Sequence, residues 1–530
     1  MQIQVRINEE GALRNQRYAF TDKFTLFSEL MQNARRAGAT RIDIWYDDAQ
    51  GILRVIDDGC GIDDFQKLLT FNESGWNQDV CQEERPFGIG FSKCLYSASR
   101  CVVASRNRRI DFVSDEALAK QPINVVDIAH HPYTAIELHD VCLPAVKVVE
   151  MHMKSMCSGF PVPVWFNGVE LPRPHAVGSL PFAAADIGLV YLAGTGDGKY
   201  ASTLVFLQGF CVIRPSYFDA GQVNVVHLDS KEFVARLPDR DKLIDEADQI
   251  KRIDVCLRSL WLQVLLRARE NLGDEAFVDT FFDAMRRWRH LDLLNDIPLL
   301  PKCLCERIIG YPLQEGHETR DYVAPVERLV TRREIESGDV VLVDLDAVSG
   351  DNATSWMYAK GKGYVVCSAG SLHQDHWVQP HIRNLDEQAI NVETNGEQAR
   401  ATLEGRWIWP DVVLCDSVSL SIGNDRVELV EEGVYYEESI FVPRGECSGE
   451  PARQASSFID EFDNFREDHC EADCDALADL IRRLRSVDPK TTLDSLLQDL
   501  KLEKYPLLHG RTFQLKVGRG RDEHAVELVG

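Results

Sequence analysis

Apolar residues near the start of the chain recur at two spacings, which predict two kinds of element. Between positions 24 and 34 they fall three or four residues apart, as in an amphipathic helix. We expect this helix to begin near Thr21-Asp22 and to end near Gly38. Apolar and polar residues then alternate over 42–46, and an apolar run returns over 52–56 after a turn at Gln50-Gly51. This pattern predicts two strands joined as a hairpin.

The same patterns divide the chain into four regions. Residues 1–140 are predicted to form one α/β unit, with further strands at 101–105 and 134–138. Residues 141–290 are predicted to form a second α/β unit, in which 204–213 is one of the strands. Residues 291–450 carry many short β-branched runs and are predicted to be mostly β. Residues 451–530 are predicted to be an acidic helical region that ends in a strand at 512–517, so the fold class is mixed α/β (α+β).

The overall charge narrows the range of partners. The chain has 58 basic and 84 acidic residues, a net charge of −26. Such a surface repels phosphate backbones and anionic lipids, which disfavours general binding to nucleic acid or membranes. No run approaches the ~18 apolar residues of a membrane helix, and the first residues do not predict a secretory signal. The 15 scattered cysteines are typical of reduced thiols, so we expect a cytoplasmic protein.

A carboxylate and a carboxamide lie four residues apart on the first predicted helix. Glu29 and Asn33 occur in the segment Glu29-Leu-Met-Gln-Asn33-Ala-Arg-Arg-Ala37 and therefore project from one face. Such oxygen ligands suit Mg²⁺ and its water molecules. Taken alone, the pair fits an ordinary surface helix equally well.

A second motif, Asp57-Asp58-Gly59-Cys60-Gly61, breaks the strand predicted at 52–56. A carboxylate fixed at a strand end can accept a hydrogen bond from an exocyclic amine. The glycines beside it allow a flat ring to approach the backbone. An ordinary tight turn would have the same composition, so this motif is also weak alone.

A third motif, Phe87-Gly88-Ile89-Gly90-Phe91, precedes a helical stretch. Backbone N–H groups at the start of a helix bind anions, and glycines permit phosphates to come close. The motif lacks the Gly-Lys-Ser/Thr of a P-loop, and a Gly-x-Gly sequence alone is poor evidence. Residues 72–87 before it are polar and rich in turn formers, and we interpret them as a mobile loop.

Taken in order, the three motifs resemble those of the GHKL ATPases, which share the Bergerat nucleotide-binding fold. The resemblance covers about residues 20–140. Phe87 to Phe91, followed by Ser-Lys-Cys-Leu-Tyr, is most similar to the ninety-kilodalton heat-shock chaperones. Tyr133-Thr134-Ala-Ile-Glu-Leu-His139 is similar to a later strand of those chaperones, in which a glycine stands where this chain has Tyr133.

The resemblance implies ATP and Mg²⁺ as ligands and gives each motif a role. Glu29 would orient the attacking water and act as general base, and Asn33 would ligate Mg²⁺. Asp57 would bind the adenine amino group. Gly59, Gly61 and Thr134 would lie near the base. The residues near the phosphates would be Gly88, Ile89, Gly90 and Phe91. Residues 72–87 would act as a lid over the nucleotide.

These ATPases usually receive a cation from the following domain, and the resemblance makes residues 141–290 a transducer-like middle domain. The charged stretch 224–242, interpreted as a loop, is the candidate. Arg240 is the first choice to reach the γ-phosphate, followed by Arg236 and Lys242. A solvated charged loop with no such role is an equal alternative.

The resemblance implies a slowly hydrolysing, Mg²⁺-dependent ATPase, and we expect a chaperone-like conformational machine acting on a protein partner. A homodimer is expected because the family commonly dimerises. Two alternatives remain at this point. One is a nucleic-acid-processing ATPase similar to MutL or MORC proteins, in repair or defence. The other is a nucleotide-binding scaffold that does not hydrolyse ATP.

Overall fold

The computed structural model describes most of the chain, in segments separated by gaps. The described residues are 3–4, 8–16, 18, 22–71, 76, 90–199, 201–216, 222–236, 241–313, 322–403, 406–408, 410–429, 432–443, 453 and 466–529. They group into two compact units. The first comprises residues within 1–272 and 280–290, and the second comprises residues within 273–279 and 291–530.

The first unit contains a six-stranded mixed sheet with the strand order β3-β4-β2-β1-β5-β6. The pair β1–β5 is parallel and the other pairs are antiparallel. Its strands are β1 (Ile42–Asp47), β2 (Ile52–Asp57), β3 (Arg100–Val113), β4 (Val125–His139), β5 (Val164–Phe166) and β6 (Val169–Glu170).

The first unit also contains helices, several of which share the core of this sheet. Their bounds are α1 (Glu9–Gln16), α2 (Thr25–Arg36), α3 (Gln66–Leu69), α4 (Ser92–Ser97), α5 (Ser114–Leu118) and α6 (Val146–Cys157). Buried apolar side chains of α2, α4 and α6 join those of the strands in one cluster. The helix predicted near 22–38 and the hairpin predicted at 42–56 are both confirmed.

A second sheet of the first unit has the order β10-β9-β11-β8-β7. Its strands are β7 (Ala183–Ala185), β8 (Gly188–Tyr191), β9 (Ser202–Leu207), β10 (Phe210–Ile213) and β11 (Val223–Leu228). The prediction of a single strand over 204–213 is wrong. Gln208 and Gly209 have φ values of 53° and 88°, so the chain turns back between β9 and β10 as a tight hairpin.

The start of the stretch 224–242 is also not the charged loop expected from sequence. Residues 223–228 form β11, which lies between β9 and β8 and is buried along its whole length. The Asn224 side chain is fully buried, and all its polar atoms have partners. Its Oδ1 accepts a hydrogen bond from Ala193 N, and its Nδ2 donates to Ala201 O and Thr203 Oγ1. The sequence pattern therefore did not reveal this buried strand, because it contains a polar residue whose hydrogen bonds are made within the core.

Two long helices follow, α7 (Glu246–Asn271) and α8 (Asp274–Arg287). In the second unit, one five-stranded sheet has the order β14-β13-β17-β16-β18. Its strands are β13 (Cys305–Ile308), β14 (Val323–Pro325), β16 (Leu342–Asp344), β17 (Val365–Cys367) and β18 (Ile382–Asn384). Strands β16 and β17 are parallel and are connected through a helix, so this part is not purely β.

The remaining strands of the second unit form small sheets and pairs. They are β12 (Leu299–Leu300), β15 (Val330–Thr331), β19 (Asn391–Asn395), β20 (Ala399–Arg400), β21 (Thr402–Leu403), β22 (Arg406–Trp407), β23 (Asp411–Leu414), β24 (Ser417–Ile422), β25 (Asp425–Leu429), β26 (Val434–Tyr436), β27 (Ser439–Val442), β28 (Phe513–Lys516) and β29 (Ala525–Leu528). The helices are α9 (Arg332–Ser337), α10 (Ala353–Lys362), α11 (Glu467–Arg485) and α12 (Pro489–Asp499). The mixed α/β class is confirmed, whereas the Bergerat architecture and the four domain boundaries stay predictions.

Among the described residues, no helix combines the length and the apolar character that crossing a membrane requires.

Candidate functional site

Helix α2 supplies the first two predicted site residues. Glu29 is only 5% exposed although it carries a carboxylate, while Asn33 is half-buried. The two side chains and Ala37 follow one another at four-residue spacing, along one slowly turning side of the helix. The Asn33 amide has no hydrogen-bond partner among the described residues. This side of α2 contacts the other two motifs, one near each end.

Gly90 lies against the carboxylate of Glu29. A Cβ atom at position 90 would overlap Glu29 Oε2 and would lie 3.3 Å from Glu29 Cδ. Helix α4 begins two residues later, at Ser92. Gly90 of the third motif therefore meets the N-terminal half of α2, and a side chain at position 90 would have to displace the Glu29 carboxylate.

Asp57 ends strand β2 and is 8% exposed. Its Oδ1 accepts a hydrogen bond from Gly59 N at 3.0 Å, and among the described residues none donates to Oδ2. Burial raises the pKa of Asp57 from 3.8 to about 6; the Gly59 hydrogen bond opposes this rise and the nearby Asp58 charge adds to it. A buried carboxylate with an unused oxygen is suited to accept a hydrogen bond from a ligand.

The Asp57–Gly61 turn meets the C-terminal end of α2. Cys60 N donates to Ala37 O at 2.8 Å. A Cβ at Gly59 would lie 2.6 Å from Ala37 Cβ and 2.8 Å from Asp57 Oδ1. The Asp57–Gly61 turn is therefore fixed on the end of α2. Its contact at Ala37 lies eight residues, about 12 Å along the helix axis, from the contact between Glu29 and Gly90.

Thr134 lies beside Asp57 on the neighbouring strand. The two residues are paired in the antiparallel register of β2 and β4. Thr134 is 6% exposed, and its hydroxyl is 3.0 Å from Ser105 Oγ on β3. Ser105 is fully buried and also accepts a hydrogen bond from Ile62 N at 2.9 Å. The hydroxyl of Ser105 thus holds that of Thr134, which lies on the strand beside Asp57.

Gly61 and Arg106 complete this end of the site. Gly61 has a φ of 79°, and a Cβ there would lie 3.0 Å from Ser105 Oγ and from Arg106 Cγ. Arg106 itself has a φ of 56°, between two register shifts in the β3–β4 pair. Its Nε and Nη2 donate to Cys60 O at 3.1 and 2.8 Å. This exposed guanidinium therefore holds the turn through the carbonyl of Cys60, whose N–H is bound to Ala37.

Asp58 has a structural role in the same turn. Its carboxylate accepts hydrogen bonds from Thr40 N at 2.7 Å and Arg41 N at 2.9 Å, and also from the Thr40 hydroxyl. Burial pushes the pKa of Asp58 upward, but these hydrogen bonds outweigh it and leave the pKa below its ordinary value. The two adjacent carboxylates therefore differ: Asp58 stays ionised, while Asp57 titrates near pH 6.

The structure thus brings Glu29, Asn33, Asp57 and Gly90 onto one side of α2. Gly59, Gly61 and Thr134 surround Asp57, and Phe91 is buried at the start of α4. The predicted Gly88 and Ile89, and the lid at 72–87 except Trp76, lie outside the described residues. Tyr133, at the position where a glycine was expected, lies inside strand β4, at a shift in its register with β3.

The expected cation from the following domain is not located. Arg240 lies outside the described residues. Arg236 Nη2 is 3.0 and 2.9 Å from the two carboxylate oxygens of Asp241, and Arg236 N donates to Lys242 O at 2.7 Å. The Arg236 guanidinium is therefore engaged within its own loop.

Sequence reasoning missed Ser105 and Arg106. The signal for Ser105 was present, because Cys101, Val103 and Ser105 alternate toward the core and a serine at such a position calls for a buried partner. No sequence pattern predicted the role of Arg106, because the direction of its side chain depends on the irregular register between β3 and β4.

No group of three or more His, Cys, Asp or Glu side chains in the described part of the chain could hold a metal ion. A carboxamide such as Asn33 lies outside that count, and oxygen ligands that leave several positions to water and phosphate are typical of Mg²⁺.

Comparison of the chain with protein-family models gives no match, and comparison with curated proteins gives none either.

Proposed function

We propose that the first unit binds ATP with Mg²⁺ and hydrolyses it slowly, as a GHKL-type ATPase that drives conformational change in a protein partner. One observation carries the proposal: a single side of α2 contacts both glycine motifs, with Asp57 at one end and Glu29 at the other. This arrangement provides a base-binding carboxylate and a second, catalytic carboxylate, near two contacts that lie about 12 Å apart along the helix axis.

In this proposal, the adenine amino group donates to Asp57, which accepts through the oxygen that Gly59 leaves unused. The hydroxyl of Thr134, oriented by Ser105, makes a second polar contact beside the ring. Gly59 and Gly61 let the turn pack closely beside Asp57, because a side chain at Gly59 would collide with Ala37 and one at Gly61 would crowd Ser105 and Arg106. The base is thus recognised by groups already fixed by the fold.

At the other end, Glu29 orients the water that attacks the γ-phosphate and accepts its proton. The carboxylate is buried and confined by Gly90, so it is held in place before the nucleotide arrives. Asn33, one helical turn away and with an amide that has no partner in the described part of the chain, would hold Mg²⁺, which supplies neutralisation of the phosphate charge when bound.

The first test is calorimetric titration of ATP with Mg²⁺ into the wild type and Asp57→Asn. The amide can present a donor toward the adenine amine, so we expect binding to be abolished or to weaken by at least about tenfold. Asp63→Asn, which removes an exposed carboxylate close by, is the matched control and should bind as the wild type does. Equal affinity of Asp57→Asn and the wild type would refute the assignment of the site.

The second test separates binding from chemistry. Glu29→Ala should bind ATP but lose turnover by about 10² or more, because the group that orients the water is removed. If the wild type and Glu29→Ala are equally inert while both bind ATP, the chain is a nucleotide-binding scaffold and the hydrolytic part of the proposal fails.

A further inference from the structure

Two fully buried cysteines face each other across neighbouring strands of the second unit. Cys305 on β13 lies directly opposite Cys367 on β17 in the antiparallel register. Both residues are 0% exposed, and neither takes part in a disulfide. Side chains directly opposite one another in such a pair lie on the same face of the sheet, and here the two thiols hydrogen-bond to each other. The sheet therefore holds two thiols in contact in its interior.

The hydrogen bonds around Cys305 show that the geometry suits a disulfide. Cys305 O accepts from Val326 N at 2.9 Å, on the side of β14. On the side of β17 the acceptor is Leu304 O, which accepts from Ser368 N at 3.1 Å. Cys305 and Cys367 are therefore a non-hydrogen-bonded pair, whose Cα atoms lie about 4.5 Å apart. Disulfides join Cα atoms about 4.4–6.8 Å apart, so these strands need not move to be linked.

A third cysteine gives this pair access to solvent. Cys303 is exposed and lies in the short 3₁₀ turn Lys302–Leu304, just before β13. It is close enough for its charge to act on the Cys305 thiol. The contact with Cys367, followed by burial, raises the pKa of Cys305, so this thiol stays protonated and unreactive toward solvent. The three cysteines thus comprise one exposed thiol and two shielded ones.

We propose that Cys303, Cys305 and Cys367 form a thiol–disulfide exchange site. Its substrate is a low-molecular-weight disulfide such as oxidised glutathione, and its product is a reversible disulfide between β13 and β17. Disulfides of cytosolic proteins are usually transient and respond to oxidants. The site is therefore compatible with the reduced thiols expected from the sequence, which are its resting state.

The exchange consists of three substitutions at sulfur. The Cys303 thiolate attacks the small disulfide and releases one small thiol. The Cys305 sulfur then attacks the Cys303 sulfur and releases the second small thiol. The Cys367 sulfur attacks the Cys305 sulfur and returns Cys303 to a thiol. Each step forms one S–S bond and breaks one. Overall, the small disulfide is reduced to two thiols, which take up the protons of Cys305 and Cys367 as these two residues are oxidised.

The bond between β13 and β17 should stabilise the second unit. It closes a loop of about 60 residues, and a cross-link restricts the unfolded chain more as the loop grows. The register requires no movement of the strands, so strain does not offset this gain. By differential scanning calorimetry, we expect the second unit to melt about 5 °C or more higher when oxidised than when reduced.

Mass spectrometry of the full chain after incubation with oxidised glutathione tests the proposal. Trypsin places Cys303 and Cys305 in peptide 303–307 and Cys367 in peptide 363–383. We expect these two peptides to become joined in the wild type, through Cys305, and to separate on reduction with dithiothreitol. Cys367→Ala should stop the exchange one step earlier, with a Cys303–Cys305 bond inside peptide 303–307.

Cys303→Ser tests the route of entry without altering the buried pair. It should join the two peptides about tenfold more slowly or less, because the shielded thiols then have no exposed neighbour to react first. Cys470→Ser is the matched control, since it removes another thiol of the second unit that is not fully buried, and it should react as the wild type does.

Separate peptides in the oxidised wild type, equal rates for Cys303→Ser and the wild type, or joined peptides that form only in urea would each overturn the proposal. So would an oxidised chain that melts below the reduced one, because a pair in this register can be linked without distortion.

Discussion

At the scale of single residues, the raised pKa of Asp57 should make binding of the adenine base depend on pH. Burial raises this pKa to about 6, and the neutral acid is a poorer acceptor than the carboxylate. Protonation of Asp57 in the free protein therefore competes with the ligand. We expect the dissociation constant of adenosine to be constant above pH 7 and to rise about tenfold for each unit below pH 6.

Adenosine is the appropriate probe because it carries no phosphate that titrates in the same range. Asp63→Asn should keep the profile, since Asp63 is an exposed carboxylate whose pKa lies below its ordinary value, mainly through Lys67. An affinity for adenosine that does not change between pH 5 and 7.5 would contradict the role of Asp57. The same raised pKa contributes stability that is complete below pH 3.8 and is lost as the pH rises through about 6.

At the scale of elements, the contact between α2 and Gly90 depends on the absence of a side chain at position 90. A Cβ at Gly90 would overlap the Glu29 carboxylate, which is buried and has little room to move. Gly90→Ala should therefore lower the free energy of unfolding by about 1–3 kcal/mol and reduce ATP turnover. In the Glu29→Ala background, where no carboxylate remains to be displaced, the same substitution should cost much less.

Urea unfolding of the wild type, the two single variants and the double variant gives this coupling as a thermodynamic cycle. Gly196→Ala is the control because a Cβ there meets nothing within 4 Å. Additive effects of Glu29→Ala and Gly90→Ala would show that the two residues do not meet.

Sequence patterns predicted the helices and strands that bury one apolar face. They missed strand segments that are exposed on both faces. Helix α2 and the hairpin β1–β2 have a clear apolar side, and both were predicted. Strands β3 and β4 were predicted as five residues each but have 14 and 15. The first nine residues of β4 are exposed or half-buried, and in β3 an exposed run over 106–109 interrupts the alternation before it returns at Ile110 and Phe112.

The positions of some candidate-site residues could be predicted because they follow from local sequence. Others could not be predicted because they follow from which residues of neighbouring strands are paired. Helical spacing alone places Glu29 and Asn33 on one face, and Asp57 follows a recognisable strand. The position of Thr134 beside Asp57 depends on the register of β2 and β4, and Ser105 depends on that of β3 and β4. Such registers join residues more than 25 positions apart, and no local pattern encodes them.

At the scale of the whole molecule, two compact units share one chain, and ATP should stabilise them unequally. Residues 22–139, which carry the proposed site, belong to the unit within 1–272 and 280–290. A ligand that binds only the folded form adds about 2.7 kcal/mol at one hundred times its dissociation constant. Differential scanning calorimetry should therefore resolve two unfolding transitions, and ATP with Mg²⁺ should raise the temperature of one of them by about 5 °C or more.

Asp57→Asn should abolish this shift without altering the other transition. Equal shifts of both transitions, or the same shift in Asp57→Asn, would mean that the nucleotide binds elsewhere, because stabilisation follows the unit that holds the ligand.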